Sequence, residues 1–412
     1  MRNKNIVILC AISILALFSC GEDRTHEYYE LTKENQWIYN TMKDVYLWKE
    51  NIKTPERSQF FNEFSKFFSS LLSKNDNASF FTDEFSTDNY GMSVTLMRDP
   101  IAETPSKVYA LVLFVEPGSA AHKAGIRRGT WISAVNNKEL TISSESTLLK
   151  GEAAKLTTEY IEFDNEENRH FWVKGNTIEI EASAPHTSSN IYLDSIYNVR
   201  DKKVGYVVCN SFDGDDFTGK THATIEKFLE NGVTDIVIDL RYNTGGNIAN
   251  ATNLASMLVP SGCTGTPFGT LKDSNEEVDT IYNYSEQPYN VSDKKIYFII
   301  GNNTTSTAEL LASSVNASRT MYDVLIIGTA SAGVNIMVEN IISPYGFSIN
   351  PAIAYTYCSN SKKLPEEGIT PDYSIDELEN KTNIHALGEE QEYLLYNAFY
   401  IIANGTAPAS NL

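Results

Sequence analysis

The sequence predicts an α/β core, a mostly parallel sheet with flanking helices, joined to a β-rich domain and an N-terminal helical domain. Three observations predict it. Between Val204 and Gly328, apolar β-branched runs (VGYVVC, DIVIDL, KIYFII, DVLIIG) alternate with helical stretches, which is the order of a parallel βαβ sheet. From about residue 89 to 184 the periodicity is that of strands alone, and aromatic residues recur at helical spacing over 35–72.

With 412 residues, 42% of them hydrophobic, the chain can bury several cores and divides into two or three folded domains. The expected boundaries are a signal segment 1–19, a polar tether 20–34, a helical domain 35–85, the β-rich domain 88–185 and the α/β core 190–412. A net charge of −20 argues against nucleic acid or an anionic membrane surface as partner, since both would repel it.

Arg2 and Lys4 precede an apolar run from Ile6 to Phe18, too short to span a bilayer comfortably. The run ends in Leu17-Phe18-Ser19-Cys20, which resembles a bacterial lipobox. That resemblance implies cleavage before Cys20, acylation of its thiol, and an outer-membrane lipoprotein held by a lipid anchor, periplasmic or surface-exposed. A plain signal peptide with a chance cysteine is the alternative. Gly21-Glu22-Asp23 resembles the acidic export tag of surface lipoproteins in some gut bacteria. Cys10 and Cys20 belong to this segment; Cys209, Cys263 and Cys358 show no CxxC spacing and read as small buried hydrophobes rather than a disulfide framework or zinc site.

In 35–49 (NQWIYNTMKDVYLWK), Trp37, Ile38, Met42, Val45 and Tyr46 fall at helical spacing, and 59–72 (QFFNEFSKFFSSLL) repeats the pattern with Phe60, Phe61, Phe64, Phe67, Phe68 and Leu71. Two helices with meeting aromatic faces are expected. Core packing accounts for these rings more simply than a ligand-binding aromatic box does.

The β-rich stretch contains EPGSAAHKAGIRRG (116–129) followed by TWISAVNNKEL. Pro117-Gly118 and Gly129 set turns, and Ala120–Ala124 a short helix. The wording resembles a PDZ domain, which implies capture of a polypeptide's free C-terminus by strand addition, its carboxylate held by backbone N–H groups. Tyr90-Gly91-Met92 is the candidate loop, with Gly91 the peptide-binding residue. A PDZ domain kept only as a structural lid is the alternative.

In the core, two strand ends carry the chemistry. KIYFIIGNNTTSTAELLA (295–312) is an apolar run that stops at Gly-Asn-Asn and opens through a Ser/Thr-rich turn onto a helix. Such a turn lifts a hydroxyl to the sheet edge beside helix N-terminal N–H groups, although Ser and Thr are also the usual N-caps. TDIVIDLRYNTGG (234–246) breaks at Asp239-Leu240-Arg241 and closes on Gly245-Gly246, and paired glycines let backbone N–H groups approach a ligand as an oxyanion hole requires. The segment 259–293 reads as a polar loop. Residues 389–404 are apolar at helical spacing and should pack back onto the core.

Together DLRYNTGG and TTSTAE resemble the strand end and nucleophile turn of the C-terminal processing, or tail-specific, serine peptidases; the W-I…Y-L-W wording near residue 37 resembles their bacteroidal branch, and Gly368-Ile-Thr-Pro-Asp372 their closing motif. The resemblance implies Ser306 as nucleophile, with oxyanion N–H groups from Gly245 or Gly246 and from Thr307; no cofactor is expected, and no HExxH or comparable cluster supports a metal. The resemblance also implies a lysine base after the strand that follows the nucleophile helix, kept neutral by burial. That turn reads Gly333-Val334-Asn335 here, so Val334 stands at the base position, and the glutamine that orients the lysine in many relatives is missing near Val338. The stretch 307–361 contains no Lys and no His, and its one basic residue, Arg319, cannot deprotonate. His122, His170, His186, His222 and His385 are not placed near Ser306 by sequence, although some distant relatives use a histidine-centred arrangement.

Two functions are expected of such a chain. One is a serine endopeptidase of the cell envelope with weak or lost catalysis, and the other a non-catalytic lipoprotein that binds polypeptide tails. Ser306 should open a helix directly after a core strand, at the same sheet edge as Gly245-Gly246.

Overall fold

Alternation along the core strands decides which side chains meet which helices. Ile236, Ile238, Ile296 and Phe298 pack with Ile225, Phe228, Leu254, Leu310 and Leu311 of the helices Phe217–Glu230, Ile248–Leu258 and Thr307–Ala317. Val237, Tyr297, Ile299 and Ile327 point the other way, onto Leu394, Leu395, Ala398 and Ile402 of the terminal helix Tyr393–Asn404. Burying each of the larger side chains contributes roughly 1.5–3 kcal/mol, which fixes the strand register because a one-residue slip would turn every apolar group to the wrong layer. Gly405, in the left-handed conformation at φ +73°, closes the terminal helix.

The computed structural model describes residues 25–83, 90–104, 106–144, 147–148, 150–183, 189–319 and 323–408. The signal segment with Cys20, and His186, lie outside them. Two compact units are present, one of residues 1–82 and 340–351, the other of 83–339 and 352–412.

In the larger unit the core sheet has the order Tyr373–Ser374, Val324–Gly328, Lys295–Ile300, Asp235–Asp239, Lys202–Cys209, Ile191–Val199. All neighbours are parallel except the last pair. Asp239 lies opposite both Ile299 and Val208, so the two chemistry-bearing turns leave the sheet at one edge. The segment expected to be a loop up to residue 293 instead forms a hairpin, Pro267–Lys272 with Val278–Asn283, within an antiparallel sheet that also holds Ala352–Cys358 and Ile336–Val338. Its second strand is largely exposed, so hydrophobic alternation is faint there.

The β-rich part of this unit is an antiparallel sheet in the order Met92–Arg98, Val108–Val115, Trp131–Val135, Ala154–Asp164, Arg169–Ile180, with the helix Ala120–Lys123 capped by the Ser119 hydroxyl. Val108–Val115 is buried along its whole length because both faces are covered. Ala110 and Val112 enter the domain's own core, while Leu111, Leu113 and Phe114 cluster with Tyr242 of the α/β core. Met92–Arg98 is an edge strand.

The smaller unit begins with the helix Thr25–Val45, so most of the stretch expected as a tether is helical. The second expected helix is broken: a 3-10 turn Arg57–Phe61 precedes Phe64–Leu71, and Asn35 Nδ2 reaches the Phe60 and Asn62 carbonyls across the break at 3.0 and 2.7 Å. Ile38, Met42, Phe67 and Phe68 form its core, whereas Phe61 and Phe64 are exposed. Residues 340–351, expected in the core domain, join this unit. Strands Ile341–Ile342 and Phe347–Asn350 pair into a sheet with Phe80–Asp83, and the Phe347 ring packs against Trp37, Phe64 and Phe81. The aromatic spacing therefore serves packing.

Candidate active site

Asp239 ends its strand and Arg241 follows two residues later, both buried rather than facing solvent. Arg241, 2% exposed, donates from Nε and Nη2 to the Asp239 oxygens at 2.7–3.0 Å and from Nη1 and Nη2 to Glu392 Oε1 and Oε2 at 2.7 and 3.0 Å. Tyr206 donates to Asp239 Oδ2 at 2.8 Å. From the β-rich domain, Arg128 Nη2 adds bonds to Glu392 at 3.0 Å and Glu377 at 2.9 Å. Burial alone would raise the Glu392 carboxyl, but the two guanidiniums outweigh it and hold it down at about 2. The Asp-Leu-Arg motif thus anchors the turn that follows it.

That turn is stitched to the Thr304–Thr307 turn by hydroxyls. Thr304 donates to the Leu240 carbonyl at 2.8 Å, Thr305 to Thr244 at 2.9 Å and Thr307 to Gly246 at 3.0 Å. Ser306 alone in this run has a hydroxyl bound to none of those carbonyls, and it is also the residue at φ +51°, ψ −116°, a conformation that costs an L-residue about 1–3 kcal/mol. It caps Thr307–Ala317, six residues after the Lys295–Ile300 strand ends. A Cβ on Gly245, at φ +106°, would stand 3.3 Å from Ser306 Cβ and 3.4 Å from Thr307 N, so the two turns meet.

Gly245 N–H donates to Asn243 Oδ1 at 2.8 Å. The cause is an Asx turn, Asn243 folding back on the residue two ahead. Among the described residues the N–H groups of Gly246 and Thr307 have no acceptor. Gly246 lies against Asp213, whose Oδ1 would be 2.8 Å from a Cβ there. Thr307 N–H, at a helix N-terminus, is the better placed for a developing negative charge.

Behind Ser306 sits Glu309, 1% exposed. Its Oε2 accepts the Ser306 N–H at 2.9 Å and the Val334 N–H at 2.8 Å, and its Oε1 accepts from Ser331 Oγ at 2.5 Å and Gly333 N–H at 2.8 Å. Burial pushes its carboxyl up, while these four donors hold it back. Val334 therefore shares one carboxylate oxygen with Ser306, and its side chain is half-buried. Sequence reasoning passed over Glu309, although Ser306-x-x-Glu309 is a capping-box signature.

Among the described residues no Lys or His side chain hydrogen-bonds Ser306. His222 pairs with Gln287, His385 with Glu389, and His170 packs on Phe163. Gly91, at φ +71°, opens the Met92–Arg98 edge strand, its carbonyl accepting the Glu116 N–H at 2.7 Å.

Two family models match this chain: peptidase family S41 over residues 203–375 and the peptidase S41 N-terminal domain over 33–87, together more than half of it. The chain belongs to peptidase family S41. A protein of Bacteroides fragilis NCTC 9343 assigned to the S41 proteases superposes with a TM-score of 0.74 at 25% identity, covering 90% of this chain and 97% of that one. A photosystem II D1 C-terminal processing protease shares the fold, with a TM-score of 0.52 at 17% identity over 84% of this chain and 93% of that one. The chloroplastic C-terminal processing peptidase of Tetradesmus obliquus is 24% identical over 272 residues, 65% of this chain and 56% of its own length. A protein of Staphylococcus aureus strain COL named as a CtpA-like serine protease is 24% identical over 198 residues, 48% of this chain and 37% of its own. The chain thus spans about half or less of the length of these curated relatives.

In this S41 chain the Val334 turn has no slack. A Cβ on Gly333, at φ +79°, would lie 2.0 Å from the Glu366 carbonyl oxygen, and one on Gly368 would lie 2.1 Å from that of Ser331. Gly333→Ala is expected to lower stability by more than about 1 kcal/mol, since the left-handed backbone alone costs an L-residue that much before the clash is counted. Urea unfolding of variant and wild type measures the loss, and an unchanged midpoint would contradict it.

Proposed function

We propose that this S41 chain is an envelope lipoprotein that recognises polypeptide C-termini through a PDZ-like domain, and that hydrolysis at Ser306 is weak or lost. The observation that carries the catalytic half is the shared Glu309 oxygen: it sets Val334, with no amine, beside Ser306, where the family resemblance implies a lysine. A serine hydroxyl without a base is a poor nucleophile. In this reading Thr307 and Gly246 N–H groups face the scissile carbonyl, and Val334 marks a vestigial base position.

Support for tail recognition comes from the β-rich domain. Its edge strand, opened by Gly91, has one side without a strand partner among the described residues, as strand addition requires. Met92–Leu96 of that strand also line a cleft of about 840 Å³ together with Gly301, Asn302 and Asn303, the start of the turn that carries Ser306. A peptide added to the edge would enter beside that turn.

A second reading, an endopeptidase acting on periplasmic or surface proteins through a base elsewhere, is favoured by one observation. The strained Ser306 elbow is retained, and strain of that kind collects at working sites.

The recognition half is tested by fluorescence anisotropy with a labelled unstructured peptide ending in apolar residues. The free-acid form should bind, the C-terminally amidated form should bind at least tenfold more weakly, and bound peptide should remain intact. Equal binding of both forms would refute recognition of the C-terminus.

The anchor is proposed from the lipobox alone. Among the described residues no helix is long and apolar enough to cross a membrane. Radiolabelled palmitate fed to expressing cells should enter the wild-type protein and not Cys20→Ala; equal labelling of the two would refute acylation at Cys20.

A further inference from the structure

Asn210 follows the Lys202–Cys209 strand at the sheet edge that bears the Ser306 and Gly245 turns. It is 7% exposed, its backbone N–H donates to the Asn190 carbonyl at 2.9 Å, and among the described residues neither Nδ2 nor Oδ1 of its side chain has a hydrogen-bond partner. A buried primary amide without partners is costly and uncommon in a folded protein. Asn243 and Asn190 nearby, by contrast, are each bonded through their amides.

The residue lines a cleft of about 450 Å³ together with Glu116, Asp213, Asp216, Lys220 and Thr244. Thr244 joins this cleft to the candidate active site, because its carbonyl accepts the hydroxyl of Thr305, the neighbour of Ser306. The rim is acidic on balance. Lys220, its one cation among these residues, is already paired with Asp216 at 2.7 Å and donates to Asn190 at 3.0 Å.

We infer that Asn210 is the specificity-determining residue of a peptide subsite next to Ser306, and that the subsite takes an amide group. The inference rests on the reading of this chain as a polypeptide binder. Its chemistry follows from the donor and acceptor that Asn210 presents side by side. A carboxylate only accepts, would leave Oδ1 unpaired and would meet three acidic residues. An ammonium only donates and would leave Nδ2 unpaired. Another amide satisfies both atoms at once, and in a bound polypeptide it comes either from the main chain or from an Asn or Gln side chain.

The test measures anisotropy of labelled unstructured peptides in which Gln, Glu or Met is placed at one position at a time, against wild type and Asn210→Leu, with the thermal midpoint of both proteins measured without peptide. Leu is close to Asn in size and removes both unpaired atoms. Asn210→Leu should weaken binding about tenfold or more while its midpoint stays equal to or above that of wild type. If the wild type prefers Gln at one position and the variant loses that preference, the amide is a side chain; if all peptides bind alike and weaken alike, it is the main chain. Tight binding by Asn210→Leu would overturn the subsite and leave peptide recognition standing. A lowered midpoint with lowered affinity would make Asn210 a structural residue and overturn the inference. Failure of the wild type to bind any peptide would overturn both.

Discussion

Wild-type protein given an unstructured peptide with a free apolar C-terminus is expected to cleave it roughly 10⁴- to 10⁶-fold more slowly than a serine peptidase whose base is in place, the range that loss of a base or nucleophile partner costs in catalytic triads. The reason is local. Three hydroxyls around Ser306 are spent on carbonyls, Glu309 is spent on four donors, and among the described residues neither Lys nor His reaches Ser306. In the proposed reading what is left is a helix N-terminus and a constrained hydroxyl, which would bind and polarise a carbonyl but not take a proton. Ser306→Ala should therefore change the trace rate by less than about threefold, since removing one member of an already broken unit costs little more. Rates from chromatographic product analysis decide this, and robust cleavage abolished by Ser306→Ala would contradict it.

The second large effect concerns Arg241. Two guanidiniums and the carboxylates of Asp239, Glu377 and Glu392 form one network joining the β-rich domain, the strand end and the terminal helix. Arg241→Met leaves Asp239 and part of Glu392 buried without their main counter-charge, and breaking such a pair costs about 3–5 kcal/mol. The variant should unfold at much lower denaturant, or fail to accumulate. Glu392 also predicts a pH dependence. Its folded value of about 2 lies below its ordinary 4.5, so its stabilisation is complete above about pH 4.5 and is lost as pH falls toward 2. The difference corresponds to about 3 kcal/mol, and Glu392→Gln should flatten that part of the stability–pH profile. An unchanged profile would show that the network does not act through this carboxylate.

Much of this was legible in the sequence. The strands ending at Asp239 and Ile300 announced themselves because both of their faces are buried, leaving continuous apolar runs bounded by turn residues. Parallel pairing then placed the Gly245 and Ser306 turns together. The hairpin at 267–283 was hidden by its exposed second strand, and the transfer of residues 340–351 to the N-terminal unit by the brevity of its two strands.

At the site, the Asp-Leu-Arg motif read as part of a catalytic turn, yet its partner Glu392, and Arg128 that shares Glu392 with it, lie more than a hundred residues away on either side, where no local pattern reaches. The Asn243 side chain that occupies the Gly245 N–H was within reach of sequence reasoning, since Asn-x-Gly favours an Asx turn. What hydropathy cannot reveal is which of four adjacent hydroxyls is not spent on a carbonyl of the other turn.

The central claim is that Ser306 is held in a nucleophile's conformation without activation. Labelling of the purified wild-type protein by a fluorescent fluorophosphonate, which reacts with activated serines, tests it most directly. Labelling is expected to be no stronger than that of Ser306→Ala, with bound peptide still detected by anisotropy. Rapid stoichiometric labelling of the wild type, absent from Ser306→Ala, would contradict it and show that a base reaches Ser306.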